Sequence, residues 1–307
     1  MVTSQTQTAL WLENKKFTIG TKDVEHPGPG EILVKNIATS LNSIDWKIRD
    51  HGFYMITEYP AVIGAEGAGI VESIGKGVIG LIKGDQVFYQ SSLLNRSATF
   101  QQFVVLPTHL AAKVPQTLSL EQAASIAVAV APAALGFYGP KPRGFEYLAP
   151  WEEGGRNRYK DQPIIIMGGA SSLGQFASSF KYEVAKITSA QIELAFDTIS
   201  QADTQQTLYD ILDSEGKMIV STPPVMTRKD NDKKTVLFVN GTFFTPDTRE
   251  FGSRFMAALA RMIADGEITT PAIEIVPNGL NGVEVGLERL KSNTVSGKKL
   301  VIRPWET

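Results

Sequence analysis

The sequence contains no cysteine. That absence excludes disulfides, iron–sulfur clusters, thiolate zinc sites and cysteine nucleophiles together. Histidine is nearly as scarce, with only His26, His51 and His109, so metal chemistry is poorly supplied. Neither sign of charge dominates: Lys+Arg 30 against Asp+Glu 32 leaves a formal net charge of -2. A nucleic-acid partner held by bulk charge is therefore not expected.

Long apolar runs are lacking too. The most apolar stretch, 123–135, is too short for a membrane span and contains Pro132, so no membrane partner is expected. The opening residues, MVTSQTQTALWLENKK, have no basic region followed by an apolar one, and the expectation is a cytoplasmic protein without a secretory signal. No short repeat, heptad or low-complexity tract stands out. What is present suits a globular chain: 307 residues, 43% hydrophobic and 20% charged, enough for two domains or one large one.

The first third reads as short strands at 9–12, 32–35, 67–74, 85–89 and 100–106, separated by turn signals such as PGPGE and KGD. This pattern suggests a twisted, partly closed β-domain. From Ser119 the texture changes. LSLEQAASIAVAVAPAALGFY has a polar start, acid and amide in its first turn and then apolar residues all round, which predicts a buried linking helix. A loop at 139–162, rich in Gly, Pro and charge, is long for a connection inside a domain and is expected at the surface or beside a site.

After it the chain alternates: a strand at 163–167, a Gly/Ser turn, a helix, strands at 192–199, 217–221 and 235–240, and helices at 203–212 and 249–264. Such alternation implies a parallel sheet, hence an α/β fold. The tail ends in the short strand KKLVIR and is expected to return to the first domain.

The chemistry concentrates in PIIIMGGASSLGQFA, where an apolar strand runs into Gly168, Gly169, Ala170, Ser171, Ser172, Leu173 and Gly174 and then into a helix. Glycines let a backbone approach a pyrophosphate, and a helix N-terminus offers unpaired N–H groups with partial positive charge. Gly174 would let helix and strand pack closely. The pattern alone is weak, but between a strand and a helix it favours dinucleotide binding over a purely structural turn. By spacing, Asp197 is the one candidate to hold an adenosine ribose; capping of the next turn is the alternative.

The segments PGPGEILVK, SLNSIDWKIRDHGF, YPAVIGAEGAGIVESIGKGV, KGDQVF, AASI, GGASSLGQ, FDTIS and LERLKSNTVSGKKLVIRP occur in an order that resembles the medium-chain dehydrogenase/reductases. Within that superfamily the chain looks most like the zinc-free branch of quinone reductases, fungal toxin-pathway reductases and trans-acting enoyl reductases. The loop with PWEEGGRNRY resembles the fungal subgroup.

The resemblance implies a GroES-like, β-rich catalytic domain from 1–125 plus 272–307, a Rossmann-type doubly wound parallel sheet over 126–271, and a cleft that holds NADPH. It favours turn capping for Asp197. Zinc members carry a metal-binding Cys near Asn42 and a His-Glu pair where this chain has Ala65-Glu66, so no zinc is expected. Without a Lewis acid, reduction of an enoyl or quinone is the better reading than alcohol oxidation.

By the same resemblance Asp45, Trp46, Lys47 and Ile48 line the nicotinamide end. Lys47 is the charged group expected near the substrate carbonyl or cofactor, the alternative being a solvated surface lysine. Ser171, Ser172, Leu173 and Gly174 hold the pyrophosphate; Ser200, Thr222 and Pro223 border the cofactor; Ser296 and Gly297 close over it. Val128, Ala131, Pro132 and Gly136 together with Gly241, Thr242, Phe243 and Phe244 shape a substrate pocket, with core packing as the alternative for the apolar ones. A small enoyl or quinone substrate, a polyketide synthase partner and a monomer or homodimer follow as expectations.

Two departures bear on this. Pro132 stands where relatives commonly place a Thr that bonds the nicotinamide amide. After the phosphate turn only KYEVAKITSAQ stands before the strand at 192–199, where relatives have a further strand, helix and strand. Either the Rossmann domain is shortened after residue 180 or residues are missing there, and the choice between NADP and NAD cannot be read. The competing expectation is an impaired, truncated member acting as a binding or partner protein.

Overall fold

The computed structural model describes residues 5–160, 162–179, 192–229 and 231–307. The chain forms two units. One takes the chain up to Val128 with Leu259–Ala264 and Thr270–Thr307, and the other Ala129–Ala258 with Asp265–Thr269.

The first unit opens with strands β1 (Thr6–Glu13) and β2 (Lys16–Asp23), joined by Asn14 and Lys15. Both turn residues have positive φ, 49° and 65°, which matches the twist of an antiparallel pair. Next come β3 (Glu31–Ser40), helix α1 (Ser43–His51), β4 (Ala61–Val62), β5 (Glu66–Ile74), β6 (Gln86–Gln90), β7 (Phe103–Pro107), β8 (Ala111–Lys113) and the short helix α2 (Leu120–Ala123). One sheet runs β2-β1-β4. In the larger one β3 pairs with β5 and β7, and β6 lies between β5 and β8. The single linking helix expected from Ser119 is two: Ser119 caps α2 by accepting from the Gln122 amide, and α3 (Ala127–Tyr138) begins after a break. Leu120–Tyr138 is long and apolar enough to pass for a membrane span, yet Ala127, Val130, Ala133, Ala134 and Leu135 are each at most 1% exposed.

The second unit holds β9 (Ile165–Met167), α4 (Ser172–Ser179), β10 (Leu194–Asp197), α5 (Ala202–Ile211), β11 (Lys217–Val220), β12 (Thr235–Phe238) and the first part of α6 (Arg249–Ala264). Its sheet, β12-β11-β10-β9, is parallel throughout. Strands consecutive in the chain are neighbours throughout it, from β9 to β12, among the described residues. The join between Phe180 and Ile192 lies outside the described residues, and so does the expected shortening. Within the 139–162 loop Trp151 turns inward, its ring 5.1 Å from Phe255 and 5.2 Å from Tyr138.

The tail supplies β13 (Ala272–Ile275), α7 (Val283–Lys291) and β14 (Lys298–Ile302). β14 pairs with β3 through Val301↔Ser40 and Ile302↔Thr39, so the tail does return to the first unit. There Leu300 and Ile302 complete a core with Leu10, Leu12, Leu41, Ile48, Phe100 and Leu287.

Helix α1 is fastened at both ends. At its start Asp45 Oδ2 accepts from the Asn42 amide (2.8 Å). Asp45 is fully buried, and its Oδ1 has no hydrogen-bond partner among the described residues. Burial raises its pKa to about 7 against the opposing pull of the Asn42 amide and the Lys299 ammonium, with Glu66 adding to the rise. At the other end Arg49 reaches Asp50 and Glu288, both at 2.6 Å, and Asp50 also meets Lys291 (2.8 Å), tying α1 to α7. Those two cations hold the Asp50 carboxyl far below the ordinary range.

Two outcomes follow. Arg49→Ala should cost about 2 kcal/mol in urea unfolding, since the Arg49 side chain is nearly buried while its partners are more exposed. Because the folded Asp45 binds its proton more tightly than the unfolded chain does, stability should fall as pH rises from about 4 to 7. Asp45→Asn keeps an acceptor for the Asn42 amide and should flatten that slope, gaining about 3 kcal/mol at pH 8. Denaturant titrations across pH check both.

Candidate active site

The Gly/Ser turn is built as its sequence implies. β9 ends at Met167, Gly168 takes φ 78°, and α4 begins at Ser172. Ser171 caps the helix: its amide donates to Gly168 O (2.8 Å) and its hydroxyl accepts from the Gly174 amide (3.0 Å). The amides of Ser172 and Leu173 in the first turn have no intramolecular acceptor among the described residues. A Cβ on Gly174 would sit 2.3 Å from Gly168 O, so only glycine permits this approach of helix to turn. Nothing lies within 4 Å of a Cβ placed on Gly169, which leaves that backbone open.

Thr198 braces the turn from β10's end, its hydroxyl donating to Met167 O (2.7 Å) and lying 3.0 Å from Ser171 Oγ. Asp197 does not face outward. It is buried, and its Oδ1 accepts from the amides of Ile199 (3.1 Å) and Ser200 (2.8 Å) while Oδ2 accepts from Thr204 (2.7 Å). These bonds make it the cap of the following turn.

Ser200 has φ 54° and is buried. Its hydroxyl donates to Asp197 O (2.8 Å) and accepts from the Ser221 amide (2.8 Å). Thr222 Oγ1 donates to Ser200 O (2.7 Å). Buried Gln205, which the sequence did not flag, joins this group by donating to Thr222 Oγ1 (3.1 Å) and Pro223 O (3.3 Å) and accepting from the Val225 amide (2.8 Å). Of the expected cofactor-bordering residues, Ser200 and Thr222 thus spend their hydroxyls bracing strand ends, and Pro223 is exposed.

The expected pocket residues divide by burial. Ala131, Gly136, Gly241 and Phe243 are buried: Gly136 faces Ile219 and Val239, and Gly241, at φ 63°, lies against the Pro132 ring. Phe243 packs on Phe255 at 5.6 Å. These four are core, whereas Val128, Pro132, Thr242 and Phe244 keep partial exposure.

In the first unit the helical period sorts the IDWK residues. Asp45, Ile48 and Arg49 recur at three and four positions and point inward, so Asp45 and Ile48 are interior groups rather than an open lining. Trp46 and Lys47 are partly exposed, with Lys47 Nζ 5.7 Å from the Trp46 ring. The Trp46 indole N–H is buried without a partner, and Lys47 makes no ion pair, among the described residues. Ser296 and Gly297 form an exposed turn before β14.

Behind this helix lies a charged cluster that sequence reading missed. Glu66, 0% exposed, accepts from Lys299 Nζ (2.8 Å), Ser40 Oγ (2.5 Å), Asn42 Nδ2 (3.1 Å) and the Val128 amide (2.7 Å). A lone acid in the apolar strand EGAGIV was the available signal.

Known proteins share both pattern and fold. Residues 28–116 match the alcohol dehydrogenase GroES-like domain. Dehydrogenase pigH of Monascus ruber is 33% identical over 58% of this chain and 52% of its own length, so the matched part spans about half of that relative. The trans-enoyl reductase BOA5 of Botryotinia fuckeliana is 23% identical over 90% of this chain and 92% of its own. Among solved structures, a quinone oxidoreductase of Pseudomonas syringae superposes with a TM-score of 0.74 at 19% identity, over 96% of this chain and 99% of its own. The crotonyl-CoA carboxylase/reductase AntE in complex with NADP gives 0.73 at 15%, over 97% and 95%. The fold is α/β with a GroES-like domain, and the chain is similar in sequence to oxidoreductases of the trans-enoyl reductase kind and in fold to quinone oxidoreductases.

Proposed function

We propose that this chain is an NAD(P)H-dependent, metal-free reductase of an activated C=C bond, in an enoyl substrate, or of a quinone. The observation that carries the reading is the Gly168–Gly174 turn, with its open backbone at Gly169, its close approach at Gly174 and the Ser172 and Leu173 amides, which have no acceptor among the described residues. These features fit a pyrophosphate, which needs N–H donors and a path free of side chains. The alternative, a turn kept for packing alone, explains Gly174 but not the open Gly169.

A bound dihydronicotinamide supplies the hydride. The amides of Ser172 and Leu173 and the Ser172 hydroxyl would hold its pyrophosphate. Lys47 is assigned to the substrate's carbonyl oxygen, where a cation stabilises the negative charge that develops as hydride adds to the conjugated carbon. No cysteine is available to hold a zinc ion that would do the same. A small enoyl thioester and a quinone both present such an oxygen. A polyketide synthase is the proposed source of the former, as the resemblance of the sequence motifs to trans-acting enoyl reductases implies.

NADPH should bind saturably, read by its fluorescence on titration into the protein; no saturation overturns the reading. Lys47→Ala should lower kcat for an enoyl or quinone by about 100-fold, while Lys76→Ala on the exposed surface should leave it within twofold or so. Equal behaviour in steady-state kinetics returns Lys47 to the solvated surface.

A further inference from the structure

We infer that Glu66 is a positioning residue whose buried carboxylate holds α1, β14 and the first turn of α3 in one register, and thereby sets where Lys47 stands. Each segment is one hydrogen bond away. Asn42, immediately before α1, donates its side-chain amide to Glu66 Oε1. Lys299 of β14, two residues beyond Gly297, brings its ammonium to the same oxygen and to Asn42 Oδ1 (2.6 Å). The Val128 amide, one of the orphan donors at the start of α3, is taken by Oε2. Ser40 at the end of β3 completes the set.

The apolar packing of Leu41, Ile48, Leu287 and Leu300 is non-directional and fixes no sliding coordinate. Directional ties join these segments in pairs, from the Leu41 amide to Leu300 O (2.9 Å) and from Arg49 to Glu288 (2.6 Å), but Glu66 gathers donors from Ser40, Asn42, Val128 and Lys299 on one carboxylate. A buried ion pair is a poor source of stability; its use here is to fix the register of the helix that carries Lys47.

The kinetic part of this inference rests on the reductase reading, so the test has an arm that does not. Glu66→Gln keeps the shape and one acceptor, and the double variant Glu66→Gln with Lys299→Met also removes the ammonium left unpaired. In both, amide hydrogen exchange at 43–51 and at Val128 should speed up by about tenfold or more. With crotonyl-CoA or benzoquinone and NADPH, kcat should fall about tenfold while the KM for NADPH stays within roughly threefold. The double variant should recover the melting temperature of the parent but not its kcat.

Recovery of kcat together with stability, or unchanged exchange at 43–51, overturns the inference. Should Glu66→Gln not fold, Ser40→Ala removes one donor and leaves no charge unpaired; it should show the same exchange signature at smaller size, and none overturns the inference. If the parent reduces neither probe, the reductase reading fails, and the exchange data alone decide the role of Glu66.

Discussion

The pairing of β14 with β3 is the constraint on which the first unit depends. Val301 and Ile302 lie against Ser40 and Thr39, so the chain's end must return to a strand made near its start. Three things arrive with it. Leu300 and Ile302 enter the core beside Leu41 and Ile48; β13 gains a parallel partner; and Lys299 brings its ammonium to Asn42, 257 positions away in sequence. Contacts of such separation are costly to close, since loop entropy is spent before any of them forms.

Within the second unit the organising feature is local. Thr198, Ser200, Thr222 and Gln205 spend their hydrogen bonds on the carbonyls and amides at the ends of β9, β10 and β11. The result is a set of strand ends braced against one another beside a turn in which the Ser172 and Leu173 amides have no acceptor among the described residues. A phosphate-binding backbone needs that combination, because donors that shift on binding cost affinity and donors already paired offer none.

What the residues alone disclosed follows from how local each feature is. The helix at 249–264 was legible because its burial follows the helical period, and the strands at 67–74 and 85–89 because they are short apolar runs bounded by turn residues. β2 was not: its burial is only partial, and Asn14-Lys15 lacks the Asn-Gly signature of the turn it forms. β4 and β8, of two and three residues, are too short to show a period. The apolar residues after Ser119 continue through the gap before Ala127, so the pattern alone predicts one helix where there are two. At the site, the glycine turn was legible since its backbone geometry is written in consecutive residues. Glu66, Lys299 and Gln205 were hidden, being polar groups whose roles exist only once distant strands are aligned. The resemblance identified IDWK, but only the helical period shows that Asp45 and Ile48 turn inward while Lys47 does not.

The fully buried Asp45 also makes folding a reaction with a proton in its equation. Between roughly pH 4 and 7 the folded chain carries a proton that the unfolded chain releases. That proton must be taken up by whatever buffer is present, and its heat of ionisation is thereby written into the calorimetric enthalpy of unfolding. The same protein will register a smaller enthalpy in an amine buffer than in phosphate at equal pH, though its structure and free energy are the same in both. One carboxyl group without water around it thus leaves a macroscopic thermal record of where it sits.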